Sequence, residues 1–352
     1  MMLKRFTFFL ILAGMMVFPA FGGLANTGIT LGSGKISKDS KVWFGDQILW
    51  RVLKNENGAA LLISDTSLDM VVYNDDSDNV EWEGSLAQNW CFIFYLNWPD
   101  GVEKDAILPT TCTEKDDRRE NGIAYTYKGG HEGKYYYSSA SLDEEFFFLL
   151  SGKEADELFE NDRERRSAGS KTWWWLRSPS ERRYRNNRST VAGIVDDDGW
   201  VSDTSVTSLN GIRPAFNLDL SAILYTSEIR EDSSVSYLLT MMDRNLNVEV
   251  QQGKKAYRDG KIITVPYTVS GSNADESTRV YALVTDKRRG SESEVIQYTE
   301  LSAESGTGIG SFPLDSNING IWGKDFHIYL LAVNKNDGSR TTFASMPREL
   351  RP

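Results

Sequence analysis

Apolar positions along the chain fall into several distinct rhythms. Lys41 to Phe44 and Ile48 to Lys54 alternate as short strands, Asn55-Glu56-Asn57-Gly58 is a turn signal, and Ala59 to Ser64 is a third apolar strand. Together they predict a meander. The spacing changes to three and four at Leu86, Ala87, Trp90, Cys91, Phe94 and Tyr95, the mark of an amphipathic helix, with Ser85 and Gln88 as its capping box. Asp100 with Glu103 predicts a shorter helix through Ile107, and Ser151 with Glu154 a third through about Phe159, after a strand from Glu145 to Leu150. Trp173-Trp174-Trp175-Leu176-Arg177-Ser178-Pro179 reads as a core strand, because indole surface is costly in water and an arginine flanked by apolar residues wants a fixed partner. Asp-Gly at Asp198-Gly199, between Ile194-Val195 and Trp200-Val201, predicts a hairpin.

After Leu220 the pattern changes. Residues 226–236 are polar and charged, which suggests a linker over 223–236. Beyond it, Ile262 to Val269, Arg279 to Thr285, Glu294 to Glu300 and Phe326 to Asn334 have strand length and rhythm. Several short strands without a long helix point to an all-β immunoglobulin-like sandwich over 237–352.

The first residues read as a secretory signal. Lys4 and Arg5 are the charged start, Phe6 to Phe18 the apolar stretch and Gly23-Leu24-Ala25 the small-residue cleavage site, so that 1–25 is expected to be removed near Ala25. The stretch is short for a spanning helix and no later segment is apolar enough to cross a membrane. The mature chain is therefore expected outside the cell or at its surface. A net charge of -11, more negative still without the signal, argues against general binding of nucleic acid.

The tryptophan tract, the Asp196-Asp197-Asp198-Gly199-Trp200 hairpin and Gly211-Ile212-Arg213-Pro214-Ala215-Phe216-Asn217-Leu218 occur in that order. Upstream of them stand Val42-Trp43-Phe44-Gly45, Leu49-Trp50-Arg51-Val52-Leu53, Trp82-Glu83-Gly84-Ser85 and Phe147-Phe148-Leu149-Leu150-Ser151. Over about residues 40 to 220 this ordered series resembles a family of uncharacterised bacterial secreted proteins known by a WWLRSP tract and a closing GVRPALNL segment. The resemblance implies a fold similar to the C-type-lectin and formylglycine-generating-enzyme folds: an α+β domain over 26–222, with short helices beside an antiparallel sheet, followed by an immunoglobulin-like domain. It implies no reaction. Ile212 stands where the family usually has Val, and Ser180 with an arginine-rich insert where Gly often follows the Pro.

Candidate chemistry is sparse. The two histidines, His131 and His327, fall in different halves, which weighs against histidine-based metal hydrolysis and a Ser-His-Asp triad. Formylglycine-generating enzymes use a pair of cysteines toward the C-terminal end of their domain, whereas Cys91 and Cys112 both precede the tryptophan strand. These two either form a disulfide, which an export setting permits, or Cys91 is simply a small buried residue. Asp196, Asp197 and Asp198 lack the spacing and closing Glu of a calcium loop, so a turn is preferred and no metal or cofactor is expected.

Arg182, Arg183, Tyr184, Arg185 and Arg188 stand out against an acidic chain. They either face water or, by forked hydrogen bonds and stacking, bind an acidic or carboxylated ligand. The expected ligand face joins these residues to the hairpin at Asp197 and Trp200, with Tyr125, Tyr127, Tyr135, Tyr136 and Tyr137 of a polar stretch as an adjunct. Trp174, Arg177 and Arg213 are expected to be structural, the arginines paired to core carboxylates or carbonyls. The expected function is non-catalytic binding of an extracellular glycan, wall polymer or protein. The rivals are a divergent extracellular enzyme, either an oxidase or a carboxylate-based hydrolase, and a structural spacer.

Overall fold

The computed structural model describes residues 27–45, 47–75, 81–113, 140–168, 172–180, 190–231, 234–290, 293–304, 308–334 and 340–352. The chain is mostly β, with several sheets and four short helices among the described residues. The meander forms as Lys41–Trp43, Leu49–Glu56 and Ala59–Ser64, paired antiparallel through Trp43↔Leu49 and Val52↔Leu62. Asn57 and Gly58 both take positive φ, 53° and 80°, the backbone that a two-residue hairpin turn requires. Ala59–Ser64 pairs on its other side with Ala215–Asp219, the closing segment of the family-like series. Alternation sends Trp50, Val52, Leu62 and Phe216 inward, where the edge of Trp50 meets Phe216 at 4.7 Å and Phe147 lies 5.1 Å from Phe216.

A second sheet of five strands runs in the order Val201–Ser205, Val191–Val195, Trp174–Ser180, Leu209–Ile212, Asp69–Val72. Helix α1 (Leu86–Leu96) starts where Ser85 Oγ accepts from the Gln88 N–H at 3.0 Å, while the Gln88 side chain reaches past the cap to accept from Gly84 N–H at 2.7 Å. Helix α2 (Val102–Asp105) does not use the expected box. Gly101, at φ 135°, occupies the cap position, Asp100 is drawn to Lys104 Nζ at 2.8 Å, and Glu103 accepts from Gly45 N–H at 3.1 Å. Helix α3 (Gly152–Leu158) has both halves of its box, Glu154 N–H to Ser151 Oγ at 3.2 Å and Ser151 N–H to Glu154 Oε2 at 2.9 Å. Helix α4 (Asp162–Arg165), capped by Asn161, was not foreseen. The strand expected from Glu145 to Leu150 is also corrected, because Leu142–Glu145 ends there and Phe148 makes only a single bridge to Ala215. Phe147 through Leu150 are all buried in succession, so this segment plugs the core instead of lining one face of it.

The expected linker is a correction too. Residues 223–236 lie in a hairpin, Ile223–Glu231 against Ser234–Met242, with Ile229 opposite Ser236. Ser234–Met242 then pairs parallel with Lys41–Trp43 (Tyr237↔Val42) and with Thr342–Ala344 (Met241↔Phe343), so one sheet of thirteen strands passes through both halves of the chain. Leu239 and Met241 are fully buried in the first core cluster. Charged and hydroxylated residues on one side of this hairpin hid the apolar side from a composition-based reading. Beyond it, Asn247–Val250, Ile262–Ser270, Ile309–Pro313 and Ser302–Glu304 make a second layer. That layer packs against Arg279–Thr285, Val295–Glu300 and His327–Asn334 around Ile263, Val265, Phe312, Ala282 and Leu330.

Candidate functional site

The tryptophan strand is held by two buried arginines on opposite faces. Strand period places Trp174 on one face and Trp175 with Arg177 on the other. On the first face the Trp174 indole N–H donates to the Arg165 carbonyl at 3.1 Å, and the Arg213 guanidinium sits 4.7 Å from the Trp174 ring centroid. Arg213 donates through Nε to Ser64 O at 3.0 Å and through Nη1 to Arg165 O at 2.9 Å. Burial pushes its pKa down to about 9, which leaves it charged at neutral pH. On the second face the Trp175 indole N–H donates to Val71 O at 2.9 Å and Tyr73 meets the ring edge-on at 5.5 Å. Arg177, with no exposed surface, donates to Ala140 O at 2.7 Å, Leu149 O at 2.8 Å and both Glu154 oxygens at 2.5 and 3.1 Å. These contacts leave the strand no freedom to slip.

At its start the tract reaches the surface. Trp173 is 42% exposed, unlike its two neighbours, so the three tryptophans are not one buried block as expected. Its carbonyl accepts from Gly211 N–H at 2.7 Å, and its indole N–H donates to Asp197 Oδ1 at 3.1 Å. The partner hairpin is equally fixed. Asp196 Oδ1 accepts from Asp198 N–H at 3.0 Å and Trp200 N–H at 2.9 Å, which shapes a turn rather than a cation cage. Burial raises the Asp196 pKa, against the two backbone N–H groups that lower it. Gly199 takes φ 88° and faces the Asp162 carbonyl so closely that a Cβ there would lie 1.7 Å from its oxygen.

Two arginines of the α4 region grip this turn from below. Arg165, 3% exposed, donates through Nε to Gly199 O at 2.8 Å, and its other nitrogens pair with Asp156 and Asp162. Arg166 donates to Asp198 O at 3.2 Å and stands 3.6 Å from the Asp198 carboxylate. The result is a surface corner with a fixed indole face, the exposed carboxylates of Asp197 and Asp198, and a guanidinium. The sequence reading missed Trp173, Arg165 and Arg166 as members of it. The signal available was Asn161-Asp162-Arg163-Glu164-Arg165-Arg166, a cap residue followed by three arginines among acids.

The expected ligand face does not assemble as one surface. Ser180, which precedes the arginine-rich insert, pairs with Val191, whereas Val195, which precedes the hairpin turn, pairs with Trp174. The turn bearing Asp197 and Trp200 therefore lies at the opposite end of the strands from the insert's anchor residues. Four residues of strand separate them by about 13 Å. Successive connections in an antiparallel sheet alternate ends, which rules out the pairing of these two segments. Arg182, Arg183, Tyr184, Arg185 and Arg188 lie outside the described residues, as do the signal segment 1–25, His131 and Tyr125, Tyr127, Tyr135, Tyr136 and Tyr137. No group of three or more His, Cys, Asp or Glu able to hold a metal occurs among the described residues.

The cysteines are unbridged in the structure. Cys91 is buried on the inner side of α1, its pKa raised by burial and then by Glu145, while Cys112 sits in Thr110–Cys112 with its sulfur 3.6 Å from Arg177 Nη2. Glu145 accepts from the Trp82 indole at 2.9 Å and from Gln88 Nε2 at 3.0 Å, and burial raises its pKa.

Residues 57–220 match the model of a family described as a domain of unknown function (DUF6273). The matched span carries both arginine anchors, the Trp173 corner and three of the four helices from end to end, together with α4. No curated protein and no solved structure matches the chain.

Proposed function

We propose that the chain is a secreted or cell-surface protein that binds an extracellular glycan, wall polymer or protein without carrying out chemistry on it. The observation that carries this reading is Trp173, an indole held face-out beside Asp197 and Asp198 on a turn locked by buried arginines. A flat apolar ring offers stacking area at little entropic cost, and fixed carboxylates accept from hydroxyl, amide or ammonium groups of a ligand. In this reading the first half has a C-type-lectin-like fold and the second an immunoglobulin-like sandwich. Support for the first comes from short helices beside antiparallel strands, and for the second from two sheets packed around Phe312 and Leu330. The insert from Arg182 to Arg188 then serves a second, separate surface.

The experiment is a screen of residues 26–352 on glycan, wall-polymer and protein arrays. Beside it run a Trp173→Ala/Asp197→Asn variant and one with Arg182, Arg183, Arg185 and Arg188 changed to alanine. A ligand retained by the wild type and lost by the first variant, with its melting temperature unchanged, is the expected outcome. A ligand lost only by the arginine variant moves the binding surface to the insert, and no ligand for any protein rejects the binding reading.

A further inference from the structure

A groove of about 400 Å³ opens in the second half where the chain crosses from one layer to the other. Val295–Glu300 belongs to the large sheet and Ser302–Glu304 to the smaller one, with Leu301 as the step between them. Glu300 and Arg279 form one wall. Tyr267, Thr278 and Ser302 also line the groove, and Leu301 supplies apolar floor.

The polar groups here are held in place from behind. The Tyr281 hydroxyl, almost wholly buried, donates to Glu300 Oε2 at 2.9 Å. Tyr281 stacks on Tyr298 at 4.8 Å with an 11° interplanar angle, and Tyr298 shares a 2.6 Å hydrogen bond with Tyr225. This column fixes one carboxylate oxygen and aims the other at Arg279 Nε, 3.7 Å away, too far for a hydrogen bond. Both side chains stay about half exposed. The Tyr267 ring is seated on Gly310, where an added Cβ would come within 2.9 Å of a ring carbon. Glycine there lets the ring lie against the sheet with its other side toward the groove.

The charges select among ligand classes. A carboxylate and a guanidinium facing one another cancel the net attraction for a lone anion or a lone cation. What suits both is a neutral group that donates and accepts, and hydroxyl groups do so in pairs. A peptide strand fits poorly, since Ser302–Glu304 is short and the Leu301 N–H is already taken by Val280 O at 2.8 Å. We propose that this groove is a binding site for a neutral saccharide, with a sugar ring stacked on Tyr267 and its hydroxyls bridging Arg279 and Glu300. The site is independent of the Trp173 corner and does not rest on it.

Calorimetric titration of residues 26–352 with cellotriose, maltotriose and chitotriose tests the assignment, with trigalacturonate as the charged comparison. At least one neutral trisaccharide is expected to bind. Tyr267→Ala and Glu300→Gln should each weaken it at least tenfold, and Trp173→Ala should leave it unchanged. If Tyr267→Ala fails to fold, Glu300→Gln, which keeps the packing, decides alone. The proposal is overturned if no neutral trisaccharide binds, if binding survives Glu300→Gln, or if trigalacturonate binds more tightly than all three.

Discussion

Replacing Arg177 by methionine would remove the densest set of side-chain hydrogen bonds around the tryptophan strand. Four donor contacts are lost, to the carbonyls of Ala140 and Leu149 and to the two oxygens of Glu154. Each buried carbonyl left without its partner costs about 1–3 kcal/mol, and breaking a buried ion pair costs about 3–5 kcal/mol. These figures describe overlapping losses. Glu154 is 27% exposed and keeps its bond from Ser151 N–H, so its carboxylate recovers some hydration. A total of about 4 kcal/mol is therefore expected, which lowers the melting temperature by roughly 10 °C in a domain of this size. Glu154→Gln retains an acceptor and should cost about half as much. Because the two residues share one interaction, the double variant should be well short of the sum of the singles. The assay is guanidinium unfolding followed by tryptophan fluorescence. A cost below about 1 kcal/mol for Arg177→Met, or strict additivity, would refute the claim that this arginine anchors the strand.

Three further outcomes follow from the same geometry. Gly199→Ala should cost about 2–4 kcal/mol, since its Cβ meets the Asp162 carbonyl and not a movable side chain, and thermal unfolding will show it. Burial makes Glu145 hold its proton more tightly folded than unfolded, so stability should fall as pH rises from about 4.5 through the raised folded value. Glu145→Gln should flatten that decline in melting curves taken between about pH 4 and 7, and an unchanged slope would assign it elsewhere. Residues 26–222 alone lose Leu239 and Met241 from the first core, each comparable to a large-to-small change of about 2–5 kcal/mol. That fragment should bind a hydrophobic dye and lack a cooperative transition; unfolding at the full-length temperature would contradict the shared sheet.

What the sequence made legible was local. The boxes at Ser85 and Ser151 and the turn at Asn57-Gly58 need only residues within one turn of each other, and they formed in place. The Asp100 box failed because Gly101 took the cap and Lys104 drew Asp100 away. The seam between the halves depends on Tyr237 lying beside Val42, a parallel pairing across most of the first half that leaves no periodic trace. Three identical tryptophans gave no hint of where burial stops, since that boundary is set by Gly211 and Asp197 arriving from other strands. Nearness in sequence also misled. Arg188 and Asp197 are close along the chain, yet the strand Val191–Val195 carries the two segments to opposite ends of the sheet.

The most direct test of the binding account uses protein labelled with 15N at the indole of its ten tryptophans, with the Trp173 signal assigned by its loss in Trp173→Phe. On titration with the ligand found on the arrays, the Trp173 signal should shift to saturation while those of buried Trp174 and Trp175 stay put. A bound ligand that leaves the Trp173 signal unmoved would contradict the account.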